Sequence, residues 1–174
     1  MASNTIPSVL INAKVYKDGN VLLGQADCEL GDFEYMTESL TGLGLAGEID
    51  LPVIGHFKSL TLKLKWNTVC KEALQLMAPK THNLAIYASI QNWEADDGTY
   101  QAVPCRVNCL ATPKKGGAGK FEPGKKMEPE SEFELTYLKM TVNGANPLEI
   151  DKVNLKCLID GVDYLAAVRS QLGQ

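Results

Sequence analysis

A chain of 174 residues, 45% hydrophobic and 22% charged, has room for one domain with a buried core. Its formal net charge of −4 disfavours a protein that wraps nucleic acid, because the phosphate backbone demands clustered cations; nucleic acid that passes by untouched stays compatible. No run reaches the ~20 apolar residues of a membrane span, and the polar start Met1-Ala2-Ser3-Asn4-Thr5 has no signal-like apolar stretch behind it.

In chain order, Val9 to Tyr16 reads as a strand, Lys17-Asp18-Gly19-Asn20 as a turn, and Val21 to Ala26 as a return strand. Residues 28 to 56 then form a long antiparallel hairpin through the glycine-rich Gly42-Leu43-Gly44. Alternation puts Asp32, Glu34, Glu38, Glu48 and Asp50 on one face and Phe33, Tyr35, Ile49, Leu51 and Val53 on the other. From Asp18 to Phe57 there are eight Asp or Glu residues and no Lys or Arg. At ~3.3 Å per residue, arms of about ten residues reach roughly 33 Å. A two-stranded ribbon of that length needs something to lean on.

Leu60, Leu62, Leu64 and Trp66 alternate with polar residues, the pattern of a half-buried strand. Asn67-Thr68 can cap a helix over Val69 to Met77, which Pro79 closes. A second long hairpin spans residues 84 to 110, turning at Ala95-Asp96-Asp97-Gly98, with Val103, Cys105, Val107 and Cys109 on one face. Pro104 marks an edge or a bulge in it. Residues 113 to 130, rich in Lys, Gly and Pro, read as a flexible basic loop. The strand from Glu132 to Val142 slips phase between Tyr137 and Leu138, as a bulge makes it do, and ends at the turn Asn143-Gly144. Strands near Leu148 to Ile150 and Leu155 to Ile159 lead to Asp160-Gly161, after which Val162, Leu165 and Val168 suggest a short helix.

The chemistry of catalysis is missing. Gly119-Lys120 lacks the upstream glycine, the following Ser or Thr and the strand-to-helix frame of a phosphate loop. Cys105 and Cys109 have no Cys-x-x-Cys partner or nearby histidine to complete a metal site, and read as core. His56 and His82 sit in no catalytic motif and read as surface or turn residues. The hairpin acids form a row without the pocket that a glycosidase needs, so they are a solvated face or the wall of a charged channel. Five cysteines, odd in number and unevenly spaced, fit free thiols in a reducing compartment. No enzyme activity, cofactor or metal is expected.

Two long hairpins pose the problem of unpaired edges, which a ring of identical subunits solves by closing a shared barrel. The expected class is mainly β: an antiparallel barrel or sandwich with two projecting hairpins and one or two short α-helices. The acids Asp32, Glu34, Glu38, Glu48 and Asp50 are expected to face the lumen. The competing reading is a monomeric β-sandwich binding module that displays recognition loops.

The stretches Gly42-Leu43-Gly44-Leu45-Ala46-Gly47, Thr136-Tyr137-Leu138-Lys139-Met140-Thr141-Val142-Asn143-Gly144, Leu148-Glu149-Ile150-Asp151-Lys152-Val153-Asn154 and Asp160-Gly161-Val162-Asp163-Tyr164-Leu165 carry a resemblance. They resemble the major tail tube proteins of P2-like contractile-tailed phages and R-type pyocins, over nearly the whole chain. The resemblance implies hexameric rings stacked into an inner tube, with a sheath protein, baseplate and tail-terminator proteins as partners. It implies a lumen lined by residues 28–56 and 84–110, through which DNA passes without specific binding in a phage. In a headless bacteriocin or another contractile injection system the tube pierces an envelope instead. The place implied is a virion tail or tail-like particle assembled in the cytoplasm of a host bacterium.

Overall fold

The computed structural model describes residues 4–19, 21–23 and 26–173. Met1 to Ser3 of the polar start, Asn20 of the first turn, and Gly24 and Gln25 of the expected return strand lie outside them. The elements are β1 (Thr5–Lys17), β2 (Val21–Leu22), β3 (Ala26–Leu30), β4 (Tyr35–Leu40), β5 (Ile49–Phe57), β6 (Thr61–Trp66) and α1 (Lys71–Gln75). They continue with β7 (His82–Glu94), β8 (Thr99–Gly116), β9 (Glu130–Val142), β10 (Ala145–Asp151), β11 (Lys156–Ile159), β12 (Val162–Asp163) and α2 (Ala166–Gln171).

Among the described residues ten strands make one sheet in the order β12-β11-β10-β9-β8-β7-β1-β2, with β6 branching from β9 and β3 pairing β6; β4 and β5 form a separate two-stranded ribbon. Every pairing is antiparallel. The protein is therefore mainly β with two short helices, as its alternating sequence dictates.

Turn chemistry fixes the hairpins. Asn143-Gly144 and Asp160-Gly161 carry positive φ at both positions (49° and 79°, 49° and 80°), the two-residue geometry that matches strand twist. At the β7–β8 turn, the Asp97 carboxylate accepts from the Thr99 backbone N–H at 3.0 Å and from its hydroxyl at 2.7 Å.

The core collects the inward phase of each strand: Leu62, Leu64 and Trp66 of β6, Leu84 and Ile86 of β7, Val107, Cys109 and Ala111 of β8, and Phe133, Leu135 and Leu138 of β9. Each such large side chain contributes ~1.5–3 kcal/mol by leaving water. The thiols of Cys105 and Cys109 lie in this buried row, as the period-two pattern requires. Burial pushes the Cys109 thiol up to about 12 and the Cys28 thiol to about 11.

Several expectations shift. β3 pairs β6, from Ala26↔Trp66 to Leu30↔Leu62, so Cys28 to Leu30 belongs to the main sheet and the hairpin begins later, at Tyr35. The helix is shorter than expected, and its cap is the Cys70 sulfur, which accepts from the Ala73 N–H at 3.4 Å, instead of Asn67-Thr68. Pro113 to Gly116 are not loop: they extend β8, with Pro113 opposite Phe133 and Lys115 opposite Glu132, because β9 is long enough to hold them. His82 is buried at 2% exposure, since it continues the inward phase of Leu84 and Ile86; its Nε2 lies 3.3 Å from the Ala78 carbonyl. Leu155 sits in a turn at φ 51°, which delays β11 to Lys156, and Val162 joins a strand before the terminal helix.

Two other readings come close. Pro104 lies on β8 just beyond the last pair with β9, Cys105↔Val142, and its carbonyl accepts from the Asn143 N–H at 2.9 Å. The β9 bulge exists but falls at Thr136, where the register to β8 jumps from Tyr137 to Leu135, one step before the expected slip between Tyr137 and Leu138.

Glu149 shows how the outer strands are held. It is buried, and receives Lys156 Nζ at 2.8 Å, Asn146 Nδ2 at 3.0 Å and, more loosely, Lys139 at 3.8 Å. Burial pushes its carboxyl up, but the hydrogen bonds from Lys156 and Asn146 and the two ammonium charges outweigh this and hold it below 4.5. A carboxylate with a depressed folded pKa contributes stability above its unfolded pKa and loses it as pH falls through the folded value. Glu149→Gln is expected to cost about 2 kcal/mol at neutral pH. That deficit shrinks on acidification below ~pH 4, as urea melts of both proteins across pH will report.

Candidate assembly surface

The ribbon β4–β5 is built from residues that find no core. Every residue from Asp32 to Ile54 is exposed, including Met36, Leu40, Ile49 and Leu51, and Leu43 at the tip is fully so. The register Leu40↔Ile49, Ser39↔Asp50, Glu38↔Leu51 and Thr37↔Pro52 sorts the side chains onto two faces. Directly paired residues share a face. One face therefore carries Leu40, Glu38, Ile49 and Leu51, and the other Thr37, Ser39, Asp50 and Pro52. The Ser39 hydroxyl donates to Asp50 on the polar face.

This geometry divides the acids. Glu38 and Asp50 lie on opposite faces, so the single acidic face read from alternation does not form. Glu48 belongs to the tip, just before β5. Asp32 and Glu34 lie in the unpaired stretch ahead of β4, where Lys58 forms an ion pair with Glu34. Lys58 is the first cation after the acidic stretch, and only the return of β5 brings it back to Glu34.

The ribbon is rooted in the body at its base. The Tyr35 ring packs on Phe57 with centroids 4.5 Å apart, and the Lys58 N–H donates to the Glu34 carbonyl at 2.8 Å. Gly55 adopts φ +66°, and a Cβ there would lie 2.5 Å from Leu165 Cγ, so the chain can pass only without a side chain. A groove of about 310 Å³ separates Tyr35 and Pro52 to Gly55 from Cys157, Ile159 and Tyr164.

Open edges accompany the ribbon. Among the described residues β2 pairs only Tyr16 and Lys17 of β1, which leaves the outer side of Ile6 to Lys14 without a strand. On the face of β1, β7 and β8 turned from the core, Lys14, Tyr87 and Arg106 stand side by side in register. The Arg106 guanidinium lies 4.6 Å from the centroid of the Tyr87 ring, and Tyr16 meets that ring edge-on at 5.3 Å. Sequence reading missed this row, because nothing in the spacing of Lys14, Tyr87 and Arg106 foretells three adjacent strands. Among the described residues no three His, Cys, Asp or Glu side chains come together as metal ligands, and no helix is long and apolar enough to cross a membrane.

Solved structures from a contractile injection system share this fold. It matches a chain of the extracellular contractile injection system PVC in its sheath/tube terminator, extended state, with TM-score 0.55 and 15% identity over 78% of this chain and 96% of that one. A chain of the PVC sheath-tube complex, extended state, matches with TM-score 0.53 and 16% identity over 78% and 90%. A search of curated proteins found no match. Residues 7–173 match the family model of phage tail tube protein FII, and the chain belongs to that family. It is a structural subunit of a tail tube, a component of a virion or tail-like particle.

Proposed function

We propose that copies of this chain close into hexameric rings that stack into the inner tube of a contractile tail or tail-like particle. The observation that carries this reading is the β4–β5 ribbon, exposed on both faces and unpaired at both edges among the described residues. Such a ribbon contributes little to the stability of one subunit and much to a barrel shared with neighbours. The stretch from Asp32 to His56 and the hairpin of residues 84–110 supply the wall, and the basic segment 117–129 lies outside the lumen as a mobile loop. A sheath protein surrounds the tube, a terminator caps it and a baseplate starts it, in keeping with the sheath-tube and terminator chains of similar fold.

The register favours the polar face of the ribbon as lumen, with Asp50 on it and Glu48 at its tip, and the apolar face as the contact with a neighbour. Asp32 and Glu34 extend the acidic wall at the ribbon's base. The tube conducts DNA in a phage without binding it, and pierces an envelope in a headless particle; assembly takes place in the bacterial cytoplasm. Purified protein should sediment as rings or tubes and show a central channel by negative stain. A homogeneous 18.9 kDa monomer at all concentrations refutes the proposal.

A further inference from the structure

We propose that the ribbon of one copy seats beside the open edge of β1 on a second copy, with Glu38 received by Lys14 and Arg106. This rests on the ring reading above and names the surface that a neighbour's ribbon meets.

Glu38 is the one charge on the face it shares with Leu40, Ile49 and Leu51. Docking that apolar face strips water from the carboxylate, and a desolvated charge needs an opposite charge beside it. The ribbon cannot provide one itself: no Lys or Arg occurs from Asp18 to Phe57, and Lys58 is engaged by Glu34. The cation has to come from elsewhere.

The β1 side of the sheet offers two. Lys14 and Arg106 are exposed, flank Tyr87 in one cross-strand row, and make no ion pair among the described residues. Arg106 is held in place by the Tyr87 ring and by its Nε donating to Asn108 Oδ1 at 2.9 Å. The nearby Lys139 is already spent on Glu149. Unpaired cations on a chain of net charge −4 attract an acidic partner, and the acidic ribbon is part of every copy. A groove of about 440 Å³ lies along this row, lined by Lys14, Tyr16, Tyr87 and Ser89, so aromatic surface meets the aliphatic side chains around Glu38. β4 has no proline whereas β5 has Pro52, so β4 presents the more continuous backbone edge to the open side of β1.

The experiment is a charge exchange read by sedimentation and negative stain, with circular dichroism to confirm folding. Glu38→Lys alone, and Lys14→Glu with Arg106→Glu together, should each raise the concentration needed for tube growth at least tenfold. The three substitutions combined should bring it back to within about threefold of the parent. Unimpaired growth of either charge-reversed protein overturns the docking contact, as does failure of the folded triple variant to recover. If the contact fails while Ile49→Pro still stops growth, the ring reading stands and only this placement falls. If Ile49→Pro also polymerises, both fall.

Discussion

Ile49→Pro stops ring and tube growth while leaving the subunit folded. Ile49 pairs Leu40 as the first residue of β5 beyond the tip. Proline there removes a backbone donor, fixes φ and blunts the strand as an edge. The cost to the isolated subunit is small because, apart from Phe57 at its base, the ribbon adds nothing to the buried core, whose other members all lie outside Tyr35 to Phe57. The cost to a closed assembly recurs at every copy. Sedimentation should find the variant as subunit under conditions where the parent is polymer, with unchanged circular dichroism and urea midpoint. Equal polymerisation of variant and parent means that the ribbon carries no share of assembly.

Glu48→Lys combined with Asp50→Lys lowers DNA delivery at least tenfold in particles that still assemble. Both residues are exposed, so the change in folding stability stays within about 0.5 kcal/mol each. In a tube the new cations repeat around and along the wall. Screening acts over ~8 Å at physiological ionic strength, so a polyanion near the wall meets each of them. Each phosphate contact must then be broken during transit, where the acidic wall offers none to break. The readout is infectious titre per intact particle, or passage of polyanion through isolated tubes if the system is headless. Unchanged passage removes the lumenal placement of these acids.

Much of the sheet was legible because period two reports a buried face directly. Leu60 to Trp66 and Cys105 to Cys109 are buried in the phase that their spelling dictates, and Asn143-Gly144 and Asp160-Gly161 turn where their backbone preferences demand. Partnership was less legible. Nothing local in Cys28-Glu29-Leu30 says that it pairs Leu64 and Leu62 instead of the strand that follows it.

Alternation also fails across a turn. It fixes the faces within β4 and within β5 separately, but their relative phase depends on the length of the tip and on the register shift between Tyr35 and Thr37. That phase places Glu38 and Asp50 back to back. Pro113 to Gly116, with two lysines between a proline and a glycine, read as loop because composition is local, whereas the strand that holds them arrives from residues 131 to 133. The family resemblance covered what periodicity could not, since it concerns the whole arrangement at once.

The buried thiols bear on what happens to such a particle once it leaves a reducing cell. Cys109 at about 12 and Cys28 at about 11 are almost wholly protonated at neutral pH, and burial raises Cys105 and Cys157 as well. The thiolate is the species that oxidises and exchanges, so its scarcity makes these sulfurs slow to react with oxidants in air-exposed surroundings. Ageing by oxidation is thereby turned away from four of the five sulfurs, and Cys70, half-buried at the start of α1, is the one that this protection leaves out.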